Sequence, residues 1–147
     1  MTFSFRPLLG LLALAGCATS PITGQGDVYS MQREADAAYR SGDDSQGERL
    51  LQGVLRLAPN DAESWFRLGN LYARSDRPEQ ALDAYQRCLM LQPGDSRAWH
   101  NLGVVRLRQT SAALAQAHAL AGDDEALRGK TARMLELLQQ AQKADKP

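Results

Sequence analysis

The sequence repeats itself at a spacing of 34 residues, and that period constrains the fold more than any other feature. When residues 55–71 are laid over the segment 34 positions later, Leu55 falls on Leu89, Leu57 on Leu91, Pro59 on Pro93 and Asp61 on Asp95. Trp65 falls on Trp99, Leu68 on Leu102 and Gly69 on Gly103, so both tryptophans of the chain lie inside the match. A unit of this length accommodates two helices and a turn. Such a unit cannot bury its apolar face alone, so neighbours must stack, and the expected product is an all-α solenoid of antiparallel helix pairs.

The local pattern supplies the helices. A first, degenerate helix is predicted over 30–40, with Met31, Ala35 and Ala38 as a weak apolar stripe. Ser41-Gly42-Asp43-Asp44 reads as a turn in which either aspartate can cap the next helix. That helix carries Leu50, Leu51, Val54, Leu55 and Leu57 as a core-facing stripe and stops at Pro59-Asn60. Asp61 then stands where an N-cap belongs, and Trp65, Leu68, Gly69 and Tyr72 line one face of the following helix. Asp76 is the expected cap of its partner, which has Pro78 in the first turn, and Ala81, Leu82, Tyr85, Cys88 and Leu89 on its apolar face. Pro93-Gly94 ends that helix.

Trp65, Leu68, Gly69, Tyr72, Ala81, Tyr85 and Pro93 together resemble the tetratricopeptide repeat. The likeness covers about 28–122, in units of about 28–61, 62–95 and 96–122, and is sharpest over 61–103. The third unit departs from the pattern, because Arg106 replaces the consensus tyrosine and no Gly or Pro occurs from Val104 to Ala121. Its first helix either runs on without a break, or ends where Thr110 or Ser111 caps a short alanine-rich helix; the break is slightly favoured. Gly122-Asp123-Asp124 marks a restart, and 123–147 is read as a C-terminal capping helix and frayed tail. Three repeats lie near the lower limit for such an array, so client binding or self-association into a homo-oligomer is expected to add to stability.

The chain begins with an apolar run, Leu8 to Ala15, broken only by Gly10 and too short to span a bilayer. It ends in Leu14-Ala15-Gly16-Cys17, which resembles the lipobox of bacterial lipoproteins. The resemblance implies a signal peptide over 1–16, cleavage before Cys17 and lipidation of the Cys17 sulfur; 17–27, rich in small and polar residues and without periodicity, is read as a flexible tether. Ala18, rather than aspartate, follows the cysteine. By the sorting rule of such proteins this points to the outer membrane, facing the periplasm.

The charge balance is neutral, with 17 basic and 17 acidic residues, which argues against nucleic acid as a partner because phosphate binding needs a basic footprint. With Cys17 lipidated, Cys88 is the remaining thiol, and no internal disulfide can form. Cys88 reads as an inert core thiol. His100 and His118 are the only histidines, and neither belongs to a Cys/His cluster with metal-ligand spacing. No nucleophile–base pair or phosphate-cradling glycine loop is recognisable, so neither an enzyme nor a cofactor is expected.

The resemblance places the first helix of each repeat on the concave face. By register this presents Phe66, Asn70 and Arg74 from the central repeat, and Arg97, His100, Asn101, Val104 and Arg108 from the next. An exposed Phe beside Asn and Arg suits an extended peptide, with asparagine holding its backbone; the dull alternative is ordinary surface residues. Asn70 and Asn101 match the two asparagines of the clamp with which one subfamily grips C-terminal carboxylates, but Phe66 replaces its first lysine and no intact further repeat follows, so that clamp is not predicted. The function expected is that of a lipid-anchored adaptor for protein or peptide clients, assisting an outer-membrane machine for pili, secretins or exopolysaccharide export. A scaffold for peptidoglycan hydrolases is the alternative adaptor reading. An enzyme or metal carrier using His100 and Cys88 is the reading of another class.

Overall fold

The computed structural model describes residues 24–144. The segment read as a signal peptide, Cys17 and the first part of the segment read as a tether lie outside them. Six helices follow in order: α1 (Gly24–Ser41), α2 (Asp44–Leu57), α3 (Ala62–Arg74), α4 (Pro78–Leu91), α5 (Ser96–Leu120) and α6 (Glu125–Ala144). Each packs on the next in sequence, and α3 also touches α5 across the stack. This is the expected all-α solenoid of helix pairs. No helix among the described residues is long and apolar enough to cross a membrane.

The elements start and stop where local chemistry directs. Asp43 accepts a hydrogen bond from the Gln46 N–H, and Asp95 accepts from the N–H groups of Arg97 and Ala98, so both cap orphan donors at a helix start. Asp61 precedes α3, but its carboxylate binds Gln32 Nε2 at 2.8 Å and Ser64 Oγ at 2.7 Å instead of a backbone donor. The expectation for Asp76 is corrected. It adopts the left-handed conformation at φ 54°, just past the end of α3, and Arg77 occupies the residue before α4. The α1 helix begins at Gly24, inside the segment read as tether.

The core runs through the centre of the stack, from Ala35, Leu51 and Leu55 through Leu68, Leu71 and Tyr85 to Ala98, Leu102 and Val105. Full burial of a leucine such as Leu71 is worth about 1.5–3 kcal/mol relative to exposure. Leu57, placed on the core stripe by its spacing, is instead exposed. Both tryptophans repeat one contact: the Trp65 indole N–H donates to the Pro59 carbonyl at 2.8 Å, and that of Trp99 to the Pro93 carbonyl at 2.9 Å. Each fastens the start of its helix to the preceding turn.

The third unit is where sequence and structure part. The α5 helix is unbroken over 25 residues, against the slightly favoured break. Ser111 does not cap a new helix; its hydroxyl donates back to the Leu107 carbonyl at 2.9 Å, satisfied within the helix it was expected to end. The alanine-rich run beyond it offers no reason to stop. Because α5 runs straight on, α6 packs along its distal half. There Thr131 is buried and its hydroxyl lies 3.0 Å from His118 Nδ1. Leu127 and Met134 of α6 remain 40% and 48% exposed. Trp99 is 56% exposed for the same reason. Its counterpart Trp65 has the Arg87 guanidinium of α4 5.0 Å above the ring, and no such helix covers Trp99.

Candidate functional site

One side chain ties four helices together. The Asn70 amide nitrogen donates to the Tyr39 hydroxyl at 3.0 Å. Its carbonyl oxygen accepts from the Tyr85 hydroxyl and from the Asn101 amide, each at 2.8 Å. Asn70 thus links α3 to α1, α4 and α5. Around it opens a hollow of about 560 Å³, lined by Tyr39, Asn70, Ala73, Arg74, Tyr85, Asn101, Val104, Val105 and Arg108. Amide, hydroxyl and guanidinium groups on a partly apolar floor can hydrogen-bond a peptide backbone and receive small side chains.

Of the residues singled out by register, the hollow brings together Asn70, Arg74, Asn101, Val104 and Arg108. Phe66, Arg97 and His100 do not line it. Phe66 corrects the expectation of an exposed anchor: its ring packs against the core, 6.1 Å from that of Tyr85, and is covered by the Arg97 guanidinium at 4.5 Å. Arg97 is itself held by Asp95 at 2.8 Å and Glu63 at 3.0 Å. Hydrogen bonds to these two carboxylates push its pKa upward, and Asp95 is held below its ordinary value by the same arginine. His100 is exposed on α5. Cys88 is buried, and that burial pushes its thiol pKa up, so it is a poor nucleophile. Among the described residues no group of three His, Cys, Asp or Glu side chains could hold a metal.

Sequence reasoning missed Tyr39. A signal was present: Tyr39 precedes Asn70 by 31 residues, the same interval that separates Asn70 from Asn101. It also missed that Tyr85, read as a core residue, delivers its hydroxyl to the hollow floor. Burial pushes the Tyr85 pKa up to about 12, with Asn101 and the Arg108 and Arg74 charges pulling the other way. A tyrosine whose folded pKa lies above its unfolded value loses its proton first in the unfolded chain. The contribution to stability is therefore complete below about pH 10 and disappears as the pH rises through about 12. Alkaline unfolding is expected to steepen across this window for the native protein and not for Tyr85→Phe. Identical slopes for the two would show that this hydroxyl is not sequestered.

Residues 62–95 match the family model of the tetratricopeptide repeat. A tetratricopeptide repeat is detected over this segment. The match coincides with the α3–α4 pair, from which Asn70, Arg74 and Tyr85 reach the hollow. Repeats of this kind mediate binding to protein or peptide partners. Among solved structures the fold resembles a mutant of the O-GlcNAc transferase of Thermobaculum terrenum, with a TM-score of 0.55 and 27% sequence identity. The likeness covers 69% of this chain and 20% of that one, so this chain spans about a fifth of that protein's length. No curated protein matches it in sequence.

Proposed function

We propose that the chain is a lipid-anchored adaptor of the Gram-negative periplasm, which holds an extended client segment on its concave face beside the outer membrane. The observation that carries this reading is the hollow around Asn70, where groups from α1, α3, α4 and α5 converge on one open surface. The anchor rests on Leu14-Ala15-Gly16-Cys17, and the outer-membrane address on Ala18. Each acyl CH₂ buried in the bilayer contributes about 0.8 kcal/mol, so several chains on Cys17 would fix the protein at the surface. Confinement raises the local concentration of the groove where a surface machine is assembled, without any added contact to the client. Machines for pili, secretins and exopolysaccharide export are the settings that suit an anchored repeat protein.

Cys17→Ser is expected to abolish metabolic labelling with an alkyne fatty acid and to shift the protein from the membrane to the soluble fraction. Labelling that persists in Cys17→Ser, or a native protein that takes no label, contradicts the anchor.

A further inference from the structure

The distal half of α5 and α6 form a hairpin with almost no interior. Over 109–144 only Ala121 and Thr131 are buried among the described residues, and both are small. The helix α6 packs on α5 and has no substantial contact with any other helix. The earlier helices enclose large side chains such as Leu51, Leu71 and Tyr85, whereas this hairpin encloses none. Helices owe most of their stability in a protein to a packed apolar face, so two helices without a further layer leave that stabilisation unused.

The apolar side chains are nevertheless present. Leu120 and Leu137 are 74% and 65% exposed; with Leu127 and Met134 they are four of the nine large apolar side chains exposed among the described residues. Successive residues turn by about 100° around a helix axis. Counted from the buried pair, Ala121 on α5 and Thr131 on α6, that rotation brings all four to one side of the antiparallel hairpin. They form a patch there instead of the scatter usual on a surface. Charge is missing from half of this face, since no Asp, Glu, Lys or Arg lies between Arg108 and Asp123 in a chain that is 23% charged. Lys130 falls within the α6 stripe, and its long stem lets the ammonium reach the rim.

We propose that this face receives the same face of a second copy of the chain, so that two hairpins close a four-helix bundle about a two-fold axis. Such an axis sets a patch against itself. Leucine and methionine then meet their own kind, and the uncharged surface of α5 is desolvated without stranding a charge. The size is adequate. Helices rise about 1.5 Å per residue and pack about 8–10 Å apart, so distal α5 and α6 present a face about 20 Å wide and 20–30 Å long. With side-chain relief this approaches the roughly 800 Å² per partner of a standard interface. A lipid surface is the competing apolar partner, but helices that lie on membranes carry cations on their polar side, and distal α5 supplies none. The proposed interface is separate from the hollow around Asn70 and does not depend on the client reading.

The test uses cells that express two differently tagged copies of the full chain. A photoreactive phenylalanine analogue replaces Leu137 or, separately, Gln139, which is exposed on the opposite side of α6. The proposal predicts an adduct joining the two tags from position 137 and none from position 139. Leu120→Glu, added on α5, should lower that adduct about tenfold, because it sets a carboxylate into the apolar face of both copies. Leu57→Glu, at an exposed leucine of α2, should leave it unchanged. The absence of a joint adduct from position 137 would overturn the proposal, as would an adduct there only with lipid or with a different protein. Equal adducts from both positions, or an adduct that Leu120→Glu leaves intact, would overturn it as well.

Discussion

Alanine at Gly69 is expected to destabilise the protein by about 1–3 kcal/mol, and alanine at Gly103, the same position one repeat later, to stabilise it by about 0.5–1 kcal/mol. A Cβ at Gly69 would lie 2.6 Å from both Cδ1 and Cε1 of the Tyr85 ring. That ring is 1% exposed and its hydroxyl is bound to Asn70, so it has nowhere to retreat. The strain would also pass to the floor of the hollow. Around Gly103 an added Cβ meets nothing within 4 Å, because α6 lies along the distal half of α5. There the gain in helix propensity acts alone. Urea unfolding of the two variants checks this. Destabilisation by both would mean that a helix covers Gly103 in solution, and that α5 breaks as an intact third repeat requires.

The contrast between these glycines also shows what the sequence could reveal. The period placed the α3–α4 pair between the helix stops at Pro59 and Pro93, because those signals are local: a proline restricts its own neighbours, and a stripe of leucines repeats at the helical turn. The continuity of α5 was not legible. A serine at position 111 can cap a new helix or bond back to Leu107, and only the path of the chain beyond it decides. Phe66 was misjudged for a similar reason. Its spacing puts it on the concave side of α3, but its burial depends on Tyr85 and on Arg97, which come from two other helices. Register selected Asn70, Asn101, Val104, Arg74 and Arg108, which line one hollow. It could not show that Asn70 binds three partners at once, since that depends on how four helices meet.

The hub role of Asn70 decides where the concave face should be probed. Replacing Asn70 would strip Tyr39, Tyr85 and Asn101 of a shared partner and leave the buried Tyr85 hydroxyl without its acceptor, at a cost of about 1–3 kcal/mol. Loss of binding in that variant would therefore confound the groove with the fold. Val104 lines the same hollow and is an apolar position without hydrogen bonds to lose. The exposed Gln80 on α4 is the matching control. A large difference between these two sites is the second strong expectation, because only one faces the hollow.

The most direct measurement is photo-crosslinking in living cells with the probe at Val104 and, separately, at Gln80. The account predicts one discrete adduct with another protein from Val104 and none from Gln80. Equal labelling from both positions, or an adduct only between copies of this chain, would contradict the concave face as the client-binding surface.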